Sequence, residues 1–267
     1  MAAKSSKTVL VTGASGGIGL ATARALCQAG YRVFGTSRNP EKVKGAEAEG
    51  ITFLPLELGD EKSIGTLASM LPPLDILINN AGSSLMGSVE ETPVQKMRDL
   101  YDMIFFGNVR LIQHILPKMR ERKQGLIINI SSLAELMPVP CASVYASAKA
   151  ALHTLGNGLR HELKPFGIHV VTVAPSFIKT DIYQERLLNE GSVYADMIQS
   201  AGKVRDAGIR TGCPPEDVAK TILKIIKKKN PASFCPAGKK SGLLTFAYRW
   251  LPEKMRERAV QKRFNLC

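Results

Sequence analysis

A short strand-forming run, Thr8-Val9-Leu10-Val11, leads directly into Thr12-Gly13-Ala14-Ser15-Gly16-Gly17-Ile18-Gly19, and residues 20–29 then carry a helical pattern closed by Gly30. No other stretch narrows the choice of fold so far. Strand, glycine-rich turn and helix in that order open a βαβ unit whose turn can receive a phosphate. Gly13 allows the tight turn, Gly17 lets a pyrophosphate approach the backbone, and Gly19 lets the helix pack closely on the strand. Ser15 and Ile18 belong to the same turn. The helix N-terminus adds N–H donors and the positive end of its dipole.

The alternation continues along the chain. Strands are expected at 32–36, 51–58, 75–78, 126–130 and 168–173, and helices at 41–49, 63–70, about 94–123, 143–163 and from Pro214 to about residue 228. Strands separated by helices of this length specify a parallel sheet with right-handed crossovers, the doubly wound α/β class. A chain of 267 residues accommodates one such domain. We expect its core at about 7–230, with a looser, polar segment at 176–213 and a basic helical extension at about 239–267.

No run reaches the roughly 18 apolar residues of a membrane span, and no apolar leader precedes the first strand. Five cysteines (Cys27, Cys141, Cys213, Cys235, Cys267) lie far apart with no Cys-x-x-Cys pair. That pattern suits a reducing, cytoplasmic setting rather than a disulfide framework. The four histidines (His114, His153, His161, His169) do not gather with other ligands, so no metal site is expected.

Charge is the unusual bulk property: 36 Lys and Arg against 23 Asp and Glu, a net of +13. Such an excess favours anionic partners, whether nucleic acid, lipid or a phosphorylated ligand. The basic residues concentrate at Lys227-Lys228-Lys229 and beyond Lys239, without the motifs of a nucleic-acid binder, and no nucleic-acid partner is expected.

The chemistry is carried further along. Tyr145 and Lys149 are four residues apart in the amphipathic run 143–163, so a helix stacks them on one face. An ammonium beside a phenol stabilises the phenolate, which is expected to lower the Tyr145 pKa and make it a proton donor and acceptor near neutral pH. Ser132 follows the apolar strand 126–130 and can hydrogen-bond the oxygen whose proton Tyr145 handles. Asn108 sits within the long helix, where Asn is unfavourable. It is either an exposed mid-helix residue or one that breaks the backbone ladder and holds a water.

Two further positions bear on a nucleotide. The second strand ends in Thr36-Ser37-Arg38-Asn39 with no carboxylate to accept a ribose 2′-hydroxyl. Arg38 offers a guanidinium fork and Ser37 a hydroxyl to a 2′-phosphate, which favours NADP(H) over NAD(H). Asn79-Asn80-Ala81-Gly82 ends a buried strand where a ligand crevice lies in such sheets, with Asn80 placed to secure backbone and Gly82 to admit the cofactor.

In order and spacing these residues resemble the short-chain dehydrogenase/reductase family, through Thr12-Gly-x-x-x-Gly-Ile-Gly19, Asn79-Asn-Ala-Gly82, Asn108, Ser132, Tyr145-x-x-x-Lys149, and Pro175 with Thr180, over about residues 7–225. The resemblance implies a Rossmann fold with a seven-stranded parallel sheet and a catalytic tetrad of Asn108, Ser132, Tyr145 and Lys149. It implies that Lys149 holds the nicotinamide ribose. Further cofactor contacts are implied at Glu57, Leu58, Ala81, Pro175, Ile178 and Thr180. It also implies a homodimer or homotetramer assembled through the helices of Asn108 and Tyr145. Four departures are visible: Glu135 and Ser176 stand where the family commonly has Gly, Glu57 where it often has Asp, and Gly16 where some NADP-dependent members carry Lys or Arg, which leaves Arg38 as the main phosphate contact.

The segment 176–213 corresponds to the family's variable cover over the substrate, and its apolar residues (Phe177, Tyr183, Leu187, Leu188, Tyr194, Met197, Ile198) suggest a lipophilic ketone or alcohol. The tail resembles those of members acting on steroids, retinoids or acyl-dihydroxyacetone phosphate. Its basic stretch 252–263 places Met255, Ala259, Val260 and Phe264 on one stripe. Such a helix either lies on an anionic membrane surface or packs over the cleft or a neighbouring subunit. The function expected is NADPH-dependent carbonyl reduction or alcohol oxidation. The alternative is a non-catalytic NADP(H)-binding or redox-sensing protein on the same fold.

Overall fold

The computed structural model describes residues 6–43 and 49–264. Its sheet has seven parallel strands: β1 (Thr8–Val11), β2 (Arg32–Ser37), β3 (Ile51–Pro55), β4 (Ile76–Asn79), β6 (Gly125–Ile130), β7 (Ile168–Pro175) and β9 (Phe234–Ala237), in the order β3-β2-β1-β4-β6-β7-β9. Every residue of β1 and β4 is buried, as expected for strands covered on both faces. The chain winds outward from β1 to β3, then returns to β4 on the other side of β1. That reversal leaves a crevice beyond the carboxyl ends of β1 and β4.

One face is covered by α1 (Gly17–Gln28) and α7 (Pro215–Ile226), the other by α2 (Glu61–Met70), α4 (Gly107–Glu121) and the end of α5 (Ser143–Leu163). The sequence of α7 shows why it forms: Pro215 sits at its first position, Glu216 and Asp217 complement the N-terminal dipole, and Val218, Ala219, Ile222, Ile225 and Ile226 make one buried stripe. Burying each such Val or Ile contributes about 1.5–3 kcal/mol.

Several expectations are corrected. The helix expected at 94–123 is three pieces: α3 (Val94–Tyr101), a π-helical turn (Asp102–Phe106) and α4. Beside that turn the Asn108 side chain donates from Nδ2 to the Ile104 carbonyl at 2.7 Å, competing with the helix ladder. The third strand stops at Pro55, and Leu56 to Leu58 turn towards the crevice. The helix expected at 41–49 is represented by a 3₁₀ turn at Pro40–Lys42, and residues 44–48 lie outside the described residues.

The segment 176–213 is more ordered than its polar pattern suggests. It holds β8 (Gln184–Arg186), paired in parallel with β5 (Ser84–Met86), and the 16-residue helix α6 (Ala195–Arg210). The extension forms two helices, α8 (Ser241–Trp250) and α9 (Glu253–Phe264). Phe264 is buried against Met86, Cys141, Ile198 and Ala201, with Val260 beside it, and its carbonyl accepts from Ser200 Oγ at 2.8 Å. The C-terminal half of the α9 stripe, Val260 and Phe264, therefore packs on α6, while Met255 and Ala259 stay exposed. No helix among the described residues is long and apolar enough to cross a membrane.

Candidate active site

A cleft of about 680 Å³ runs along the crevice, from the glycine turn past β4 to β7 and α6. At the nucleotide end it is built mainly from backbone. Gly13 adopts φ +64°, and a Cβ there would lie 2.8 Å from the Ala81 Cα. Gly19 admits no side chain at all, since a Cβ would come within 2.2 Å of the Gly13 carbonyl oxygen. Thr12 ties the two loops together: its Oγ1 accepts from the N–H groups of Asn80 and Ala81, both at 2.9 Å. Asn80 returns the tie, donating from Nδ2 to the Thr12 carbonyl at 2.8 Å.

Helix α1 starts at Gly16 with no side-chain cap, so its first N–H donors remain available to a phosphate. Arg38, exposed at the rim, has no ion-pair partner among the described residues, and Lys42 lies beside it on the cleft wall. A glycine cradle, an uncapped helix start and two cations fit a dinucleotide carrying an extra phosphate. Lys42 was not singled out in the sequence. It reaches the cleft from the end of the 3₁₀ turn Pro40–Lys42.

Every cofactor-contact position expected from the sequence lines the cleft except Gly19, which acts by packing. Three of the four expected catalytic residues, Ser132, Tyr145 and Lys149, also line it. Asn108 does not. It is buried, and its Oδ1 has no hydrogen-bond partner among the described residues. Of the two readings left open, the exposed one is overturned.

Ser132 ends the stretch after β6 and caps a short 3₁₀ turn, accepting from the Ala134 N–H at 3.1 Å. Its hydroxyl also acts on the Tyr145 phenol, favouring the ionised form. Lys149 is buried, and its Nζ donates to the Ile130 carbonyl at 2.8 Å. Burial lowers its pKa to about 8, an effect opposed by the charge of Glu135.

The expectation for Tyr145 needs correction. Its pKa is raised, because burial penalises the phenolate more than nearby charges favour it. The cation acting against that penalty is Arg205 rather than Lys149, with the Ser132 hydroxyl also favouring the phenolate and Glu135 disfavouring it. A neutral phenol is the acid form, ready to donate.

Behind the serine pair lies a buried polar group absent from the sequence expectations. Glu135 bonds Ser131 Oγ with one oxygen and faces His153 Nδ1 at 2.8 Å with the other, a contact that is satisfied when Nδ1 carries the proton. His153 in turn stacks on Phe234. The replacement of a commonly small residue by Glu135 was visible in the sequence; its partners, Ser131 after β6 and His153 on α5, were not.

Comparison with known proteins agrees with this geometry. The profile of the short chain dehydrogenase family matches residues 7–191. A 3-ketodihydrosphingosine reductase of Bacteroides thetaiotaomicron is 31% identical over 258 residues, 95% of this chain and 96% of that protein. A short-chain dehydrogenase from Streptomyces avermitilis superposes with a TM-score of 0.84 at 30% identity, covering 98% of this chain and 97% of its own. The closed form of serine dehydrogenase complexed with NADP+ gives a TM-score of 0.75 at 26% identity, covering 87% and 94%. With sheet order, glycine turn and cleft residues in place, the chain belongs to the short-chain dehydrogenase/reductase family of oxidoreductases.

Proposed function

We propose that this protein is an NADPH-dependent carbonyl reductase, working in reverse as an alcohol dehydrogenase, on a hydrophobic ketone. The observation that carries the reading is the convergence of Ser132, Tyr145 and Lys149 on one cleft with the glycine turn. NADPH, when bound, supplies the hydride. Tyr145 donates its phenolic proton to the oxygen of the reduced carbonyl, and the raised pKa keeps that proton in place at neutral pH. Ser132 donates a hydrogen bond to the same oxygen as negative charge develops on it. Lys149, held by the Ile130 carbonyl, supplies donors for the ribose. The unpartnered Oδ1 of Asn108 is a seat for a water that reconnects the buried lysine to solvent.

Arg38 and Lys42 support NADP(H) as the cofactor, as does the NADP+ bound by the serine dehydrogenase neighbour. A ketone as substrate is supported by the relative named for reducing 3-ketodihydrosphingosine, and a lipophilic one by Val139, Phe177, Ile182 and Ile209 on the cleft wall. The test is cofactor oxidation against a panel of long-chain, steroid and retinoid carbonyls, with NADPH and NADH in parallel. Reduction of at least one ketone, faster with NADPH, is expected. Cofactor binding with no turnover on any carbonyl would leave the non-catalytic alternative.

Two features of assembly belong to the same proposal. With Val260 and Phe264 of α9 turned inward, α8 presents an exposed apolar face, where Leu243, Phe246 and Trp250 are 63–75% exposed among Lys239, Lys240 and Arg249. That face suits peripheral contact with an anionic membrane. Phe246→Ser/Trp250→Ser protein should leave the pellet with phosphatidylserine liposomes, and equal pelleting would remove the idea. Association into a dimer or tetramer through α4 and α5 predicts a sedimentation mass of two or four chains.

A further inference from the structure

The substrate end of the cleft holds a cation that the reaction above does not use. Arg205 lies on α6, is only 9% exposed, and borders the cleft together with Tyr145, Ile182 and Ile209. Its Nη1 donates to Ser84 Oγ at 2.6 Å, and its Cζ sits 5.8 Å from the centre of the Tyr145 ring. A guanidinium has five N–H donors, and Ser84 takes one of them.

Among the described residues no carboxylate forms an ion pair with Arg205. The adjacent Asp206 is paired with Arg186 and favours the Arg205 charge without an ion pair to it. Glu135 is engaged with Ser131 and His153, and Asp181 is exposed on the cleft rim without an ion pair to Arg205. The nearby Arg186 adds a second positive charge, and burial together with that charge lowers the Arg205 pKa. A buried guanidinium left unpaired is costly, and a charge-assisted fork to an incoming anion removes that cost.

We propose that the natural substrate carries a carboxylate or phosphate a few bonds from the reacting carbonyl, and that Arg205 binds it. This rests on the carbonyl-reductase reading and narrows it from a lipophilic ketone to an amphiphilic keto anion. The geometry sets the spacing. With the guanidinium beside the Tyr145 ring, a carbonyl at the phenol places an anion at Arg205 only when the two groups are close in the molecule. A ketone with an ammonium group in that position is repelled.

The test compares charged and neutral partners of one skeleton with NADPH: 2-oxodecanoate and 4-oxodecanoate against their methyl esters, and 1-hydroxy-2-decanone phosphate against the free hydroxyketone. The wild type should favour at least one anion over its neutral partner in kcat/KM by roughly 10- to 100-fold, the scale of one charge-assisted hydrogen bond. In Arg205→Gln that ratio should collapse towards one, and Arg205→Lys should retain part of it. Which pair shows the preference separates carboxylate from phosphate.

No anion preference in the wild type overturns the proposal. So does an equal fall on both members of a pair, which would make Arg205 a positioning residue for Tyr145. A second measurement is independent of turnover: decanoate or decyl phosphate should raise the Tm of NADPH-loaded wild type more than 1-decanol does, and should not do so in Arg205→Gln. Should no ketone be reduced, the reductase reading fails while the melting experiment still decides whether Arg205 holds an anion; equal Tm shifts in both proteins would overturn that too.

Discussion

The two ends of the cleft are built by opposite means. The nucleotide end is backbone held by its near neighbours: Gly13 and Gly19 packed against adjoining main chain, and the Thr12 and Asn80 side chains cross-tying two strand ends. The substrate end is side chains brought from distant parts of the chain, as when Arg205 reaches Ser84 across 121 positions of sequence. The first arrangement tolerates almost no change and serves one ligand shape. The second can be rewritten one side chain at a time. The catalytic residues stand at the seam, with Ser132 just past the end of β6 and Tyr145 and Lys149 on α5.

Substitutions can test this division. The largest effect is expected at the seam: Tyr145→Phe should reduce turnover by about 10²- to 10⁴-fold while NADPH binding persists. Near wild-type turnover in rapid-mixing assays would remove Tyr145 as the acid.

Lys149 should show a conflict between stability and activity. Its pKa falls from 10.5 unfolded to about 8 folded, so below pH 8 both states are charged and burial works fully against folding. That penalty is worth about 3 kcal/mol. As pH rises from 8 towards 10.5 the folded protein sheds its proton first, and the penalty shrinks. Lys149→Met should therefore be inactive yet up to about 3 kcal/mol more stable than wild type without cofactor at pH 7. Denaturant titrations should show that margin closing by pH 10.5, and a constant margin would contradict the burial account.

Next is Gly19→Ala at the rigid end. Its Cβ must displace the Gly13 carbonyl, at a cost of about 1–3 kcal/mol, with a matching loss of NADPH affinity. Ile209→Ala at the other end should alter the order of preferred substrates and leave NADPH affinity within a few-fold. Equal effects of the two on cofactor affinity, measured by fluorescence titration, would erase the contrast. The smallest effect is expected for Arg38→Ala, which should raise the KM for NADPH about tenfold and leave that for NADH unchanged, as suits a rim contact in solvent.

Legibility in the sequence follows the same division. The glycine turn, the strand ends and the 143–163 helix could be read because their constraints are local: a positive φ, a packed backbone, a four-residue spacing. The helix α6 was hidden because its buried face includes Gly202 and Arg205 beside Ile198 and Ala201, so the hydrophobic period breaks where the chemistry lies. Strand β9, with the sequence Phe-Cys-Pro-Ala, lacks the β-branched run that marks the other strands and is placed by pairing with β7. The direction of the Tyr145 shift was unreadable for a third reason: spacing gives the neighbour on the helix, whereas burial is a property of the finished cleft.

The π-helical turn at Asp102–Phe106 acts as a phase adjuster. Each residue of an α-helix advances the side chains by about 100°. Ahead of the turn, Leu100 is buried and Tyr101 donates to Ser147 on α5; after it, Asn108 points inward and Leu111, Ile112, Ile115 and Met119 meet the sheet. An uninterrupted helix could satisfy one set or the other. The widened turn spends one extra residue so that both register, and a single deletion within it would force the molecule to choose.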